Sequence, residues 1–86
     1  MHELSLAMDV CRITEEHVGR DGLARVREVG LEVGDRSGVE LGSFRFCLES
    51  LLGAEPFRGA VPNIRRTAGD ELRVTYVEIE DGDPAD

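Results

Sequence analysis

Lysine is missing from this chain. All ten of its cations are arginine, set against 18 Asp and Glu residues, for a formal net charge of −8. That acidic balance argues against a nucleic-acid or anionic-membrane surface, which would present basic patches. The arginine-only usage reads as coding bias, although guanidinium is also the better fork for phosphate and carboxylate. Aromatic residues make up only 5% of the chain and Trp is absent, so the core must be aliphatic. Cysteine occurs only at Cys11 and Cys47. With no CxxC pair, a zinc ribbon is excluded by arithmetic. Both thiols fall within apolar helical patterns, where buried free thiols are expected in preference to metal ligands or a disulfide. No apolar run reaches the ~18 residues of a membrane-spanning helix, and no signal-peptide pattern opens the chain. These absences predict a soluble, reduced, cytoplasmic protein with no nucleic-acid or membrane partner, a monomer or weak dimer.

The signs of catalysis are missing too. Gly34-Asp35-Arg36-Ser37-Gly38 matches neither the P-loop nor the dinucleotide fingerprint. Carboxylates are abundant, but no pair is patterned for general acid–base work and no nucleophile stands beside a base. The chain is expected not to be an enzyme, and its acidic residues are expected to form a solvated surface. Arg65-Arg66 reads as part of a solvated turn.

What remains is material for one small domain: 86 residues, of which 41% are hydrophobic. Residues 3–20 predict an amphipathic helix. Leu6, Val10, Ile13 and His17 form one stripe, with Ala7, Cys11, Thr14 and Val18 beside it. Gly19 and Asp21-Gly22 supply its stop. Residues 25–33 alternate as a strand, with Val26 out of phase, the mark of a bulge or of the strand's beginning. Ser37 and Glu40 have the spacing of a capping box for a second helix over 40–53, whose stripe is Phe44, Cys47, Leu48, Leu51 and Leu52. Gly53 and Pro56 end it. Two further strands are expected at 59–65 and 71–79, joined as a hairpin through the turn Arg66–Asp70. The alternation of the last strand slips between Val74 and Val77, which predicts a bulge near Thr75-Tyr76. Residues 81–86 are acidic, without apolar anchors, and expected to be disordered. The order α-β-α-β-β implies an α+β domain, 1–80, with two helices on one face of a three-stranded mixed sheet. The β-α-β middle would be a right-handed crossover between parallel strands.

The chain begins Met1-His2-Glu3. The α-amine of Met1, the His2 amide nitrogen and the His2 imidazole can close fused chelate rings around one ion without any folding. A planar nitrogen set of this kind points to Ni(II) or Cu(II), metals able to displace the amide proton. The bulk of His2 protects the initiator Met from removal, and Glu3 is placed to add a fourth donor through its backbone or carboxylate. Because the ligands must shed protons, affinity would fall at low pH. On the residues alone, an opening Met-His that binds nothing competes with this reading. His17 is read as a packing or helix-dipole residue rather than a ligand.

The opening Met1-His2-Glu3-Leu4-Ser5-Leu6-Ala7 resembles the HypA/HybF family of hydrogenase nickel-incorporation proteins. So do three later segments. Val29 to Val39 looks like the family's strand, turn and Ser-x-Val. Phe44-Arg45-Phe46 followed by Glu49 looks like its second helix. Gly69 to Val74, followed by Val77 to Glu80, looks like its final strand. The resemblance implies a metallochaperone that binds Ni(II) and delivers it to a [NiFe]-hydrogenase, or in some members to urease. It implies a nickel site on Met1, His2 and Glu3, with Glu40 at the position of an acidic residue lying near that site. The implied partners are a nickel-handling maturation GTPase and the hydrogenase large-subunit precursor. The chain departs from the family in one respect. Where the family carries a zinc ribbon of paired CxxC motifs between its last two strands, residues 65–71 here hold no cysteine. A nickel-binding domain alone, with no structural zinc, is therefore expected; a metal-free docking or regulatory module of hydrogenase maturation is the alternative.

Overall fold

Helix α1 runs Glu3–Val18 in a computed structural model that describes residues 2–80. Met1 and the acidic tail 81–86 lie outside the described residues. The apolar spacing sets the buried face of α1, but that face is centred one position from the predicted stripe. Ala7, Val10 and Thr14 are buried, whereas His17 is exposed. Thr14 satisfies its hydroxyl by donating to the Val10 carbonyl at 2.8 Å. The helix stops at Gly19, which takes a φ of 78° and donates its amide to the Glu15 carbonyl at 2.7 Å. A left-handed φ costs glycine little. The predicted helix end at residue 20 gives way to a separate 3-10 turn, Arg20–Arg25, that buries Leu23 beneath α1.

Strand β1 covers Val26–Gly34, helix α2 Leu41–Leu52, β2 Val61–Thr67 and β3 Leu72–Ile79. The predicted hairpin between the last two strands does not form. The sheet order is β2-β1-β3, with β2 parallel and β3 antiparallel to β1. The physical reason lies in the side chains. β1 carries Val29, Leu31 and Val33 on its buried face and suits the centre, while Pro62 of β2 has no amide to donate and belongs at an edge. The link from β2 to β3 must then pass across the end of β1. Gly34 donates to the Glu71 carbonyl at 2.8 Å, Asp35 to Thr67 at 2.8 Å and Arg36 to Gly69 at 3.0 Å. A Cβ at Gly34 would lie 2.2 Å from the Gly69 carbonyl oxygen, so only glycine fits under the link. Arg65 and Arg66 consequently lie within β2 and not in a turn, and Arg66 Nε donates to Asp35 Oδ1 at 2.9 Å.

The predicted bulge is present. Gly30 of β1 lies opposite Tyr76 and Leu31 opposite Val74, which leaves Thr75 as the surplus residue. A second irregularity, between Val26 and Glu28, accounts for the phase of Val26. One face of the sheet is covered by both helices. Phe44, Leu48 and Leu52 of α2 meet Ala7 and Val10 of α1 and the inward valines and leucine of β1 in one core, which is aliphatic except for Phe44 and Phe57 and so not aliphatic throughout as expected. The other face is polar. There Tyr76 lies across Gly30, its hydroxyl bonded to the Glu28 carboxylate and accepting from Asn63 Nδ2 at 2.7 Å, so that one small network spans all three strands. Cys11 and Cys47 are free thiols, each half-buried and not fully buried as expected. Burial pushes the Cys11 thiol up to about 11.

Candidate functional site at the helix starts

His2 occupies the N-cap of α1, with φ −101° and ψ 73°. Its carbonyl accepts from the Leu6 amide at 3.0 Å, beginning the helical ladder. Its imidazole makes no capping bond and is exposed. The amide of an N-cap residue stands ahead of the first intrahelical bond, so the helix makes no demand on it. Both His2 nitrogen donors are thus left to other partners.

Glu3 does something the sequence does not announce. Its carboxylate Oε2 accepts a 2.8 Å hydrogen bond from the backbone amide of Glu40, 37 residues away. This draws the start of α1 against the start of α2. Glu40 is itself the N-cap of α2. Its Oε1 accepts from the Ser43 amide at 2.8 Å and its Oε2 from the Gly42 amide at 3.3 Å. The Ser37–Glu40 capping box is therefore not formed. The helix begins at Leu41, close to the expected residue 40, but Glu40 and not Ser37 caps it, and the Ser37 hydroxyl instead accepts from the Val39 amide at 3.3 Å. The bonds from Ser43 and Gly42 hold the Glu40 carboxyl below its ordinary value. Two helix N-termini carry partial positive charge into this corner, a poor setting for a cation. The Glu3 and Glu40 carboxylates bring negative charge to the same corner.

The structure thus joins Glu3 to Glu40 and leaves His2 next to Glu3 in the chain with its imidazole exposed; Met1 lies outside the described residues. Among the described residues no group of three or more His, Cys, Asp or Glu side chains is gathered for a metal ion. His17 sits in the last turn of α1, as a helix-dipole residue would. At 1.5 Å per residue it stands about 22 Å along the axis from His2, too far to share an ion. The Glu28–Tyr76–Asn63 network was not anticipated; its one sequence signal is Gly30, a glycine inside a strand.

A family model described as "Hydrogenase/urease nickel incorporation, metallochaperone, hypA" matches residues 1–71. The chain belongs to the HypA family. It is 38% identical over 69 residues to the hydrogenase maturation factor HypA of Azoarcus sp. (strain BH72), a match covering 80% of this chain and 60% of that protein. It is 35% identical to the HypA of Syntrophus aciditrophicus (strain SB), over 91% of this chain and 75% of that one. The alignment with the HypA of Azotobacter vinelandii, 30% identical, covers 93% of this chain and all of the relative. It runs over 113 positions, more than the 86 residues here, so that relative holds residues without a counterpart in this chain. The solution structure of the Ni metallochaperone HypA from Helicobacter pylori superposes with a TM-score of 0.75 at 17% identity, covering 93% of this chain and 98% of that one. This last likeness establishes the fold. In this chain the β2–β3 link is short and free of cysteine, and no CxxC occurs anywhere in its sequence.

Proposed function

We propose that this chain is a nickel carrier for hydrogenase maturation, binding Ni(II) as cargo through the Met1 amine and the amide and imidazole nitrogens of His2. Its role is carriage and not catalysis. The supporting observation is the Glu3–Glu40 hydrogen bond, which anchors the start of α1 while His2 keeps its imidazole outside the helix-capping bonds. Glu3 then serves as the anchor of the site and, through its remaining lone pairs, as a further donor. Glu40 contributes negative charge beside the cation while its carboxylate caps α2. A nitrogen set at a helix start suits transfer, because an incoming ligand can displace the donors one at a time. The proposed recipients are a nickel-handling GTPase and the precursor of a hydrogenase large subunit.

Calorimetry on untagged protein near neutral pH tests this reading. About one Ni(II) per chain is expected, with loss of binding in His2→Ala and in protein carrying an extra residue before Met1. Absence of uptake by the native chain would overturn the carrier reading in favour of a metal-free docking module.

A further inference from the structure

Among the described residues β3 is an edge strand, and its open side is complementary to itself. The Glu71 carbonyl accepts from Gly34 of β1, and the Glu80 amide donates to Arg25 just ahead of β1. Backbone groups alternate between the two sides of a strand. With Thr75 as a surplus residue, Leu72, Val74, Val77 and Ile79 therefore turn their amides and carbonyls to the open edge. Leu72, Val74 and Val77 pack half-buried against the helix-covered core, and Ile79, 42% exposed, lies opposite the buried Val26. Arg73 and Glu78 lie on the polar face, opposite Glu32 and Glu28 of β1.

We propose that a second copy of this chain pairs along β3, antiparallel about a two-fold axis between Thr75 and Tyr76, joining two three-stranded sheets into one of six. In that register Leu72 meets Ile79, Val74 meets Val77 and Arg73 meets Glu78, each pair occurring twice. Four properties agree there, three of them set by the one bulge. The outward backbone groups of Leu72 and Val74 meet those of Ile79 and Val77. Inward side chains meet inward ones, because the bulge shifts the parity of the strand by one residue. The surplus Thr75 of each copy falls at the axis, so neither copy forces a mismatch on the other. The charges are opposite. Glu78 faces Glu28 across the sheet, a like-charged pair that is unfavourable in a ladder, and an arginine on its open side relieves it. The opposite edge does not compete: β2 offers Pro62, which lacks a donor, and Arg65 and Arg66 at its end.

The test is light scattering across a concentration series, with untagged full-length chain in chelator, so that it is independent of nickel binding. The native chain is expected to move from the mass of one copy toward that of two. Arg73→Glu and Glu78→Arg should each weaken association by roughly tenfold or more, since two like-charged contacts replace two opposite ones. The double variant should regain it, and an equimolar mixture of the two single variants should form a heterodimer. Circular dichroism confirms that each variant is folded, and Glu78→Arg serves where loss of the Arg73–Glu32 ion pair, 3.2 Å in this chain, weakens the fold of Arg73→Glu. A native chain that stays monomeric at millimolar concentration overturns the proposal. So does a dimer indifferent to both charge reversals, which would place the contact on another surface.

Discussion

The carboxylate of Glu3 accepts the backbone amide of Glu40 at 2.8 Å, tying the first turn of one helix to the cap of the next. The contact couples two things that are separate in the sequence: the nitrogens at the chain start and the helix that crosses between the parallel strands. His2 stands one residue before this anchor.

Removing the anchor should therefore affect both stability and cargo. Glu3→Ala is expected to cost about 1 kcal/mol in chemical denaturation, the net worth of one hydrogen bond. It should also weaken Ni(II) binding in calorimetry. Glu3→Gln keeps an acceptor oxygen and should restore most of the stability, while losing the charge beside the proposed nickel site. Unchanged stability in Glu3→Ala would show that the contact does not persist in solution.

Glu40 supplies a pH-dependent cap. Its carboxyl lies below the ordinary value because it accepts bonds from Ser43 and Gly42. A group with a depressed folded pKa stabilises above its unfolded pKa, and that stability is lost as pH falls through the folded value. Glu40→Ala should thus lower the melting temperature at pH 7. The gap from the native chain should close as the pH is taken below the usual carboxylate range.

Tyr76 is the chain's single tyrosine and there is no Trp, so its ionisation can be followed by absorbance. Its hydrogen bond to the Glu28 carboxylate raises its pKa. A raised folded value means that the stabilisation holds below the unfolded pKa and is lost as pH rises through the folded one. The titration midpoint should lie above that of free tyrosine and return toward it in Glu28→Gln.

The two close glycine contacts should differ in cost. At Gly34 an added methyl meets the backbone of Gly69, and Gly34→Ala should destabilise by roughly 1–3 kcal/mol, as overpacking does. At Gly30 it meets only the ring of Tyr76, which can swing to solvent. Gly30→Ala should cost less in thermal unfolding and should lower the tyrosine midpoint.

Burial of Cys11 suppresses its thiolate. With a pKa of about 11, its alkylation near pH 8 in a Cys47→Ser background should be slower by roughly a hundredfold than for an ordinary thiol. The rate should keep climbing to about pH 11.

Local features of the fold were legible in the residues. The helices follow from apolar spacing of three and four, because that spacing alone decides which side chains share a face. The bulge at Thr75 follows from the slipped alternation between Val74 and Val77, since a strand that keeps its apolar face inward must absorb the extra residue. The proposed chelate is legible for the same reason: its three nitrogens belong to adjacent residues. The helix cap was misassigned because Ser37 and Glu40 both have capping chemistry, and only the path of the chain decides which one stands at the first turn. The hairpin was misplaced although Pro62 carried a warning, a missing donor that confines its strand to an edge.

The sequence by itself determined the elements, the apolar stripes that build the core and the nitrogen-rich start, all of which depend on neighbours within a few positions. Tertiary structure alone decided that β1 lies between β2 and β3, that the β2–β3 link crosses over Gly34, and that Glu3 anchors to Glu40. Those outcomes rest on burying β1 on both edges at once and on satisfying backbone donors across long stretches of chain, and no local pattern records either requirement.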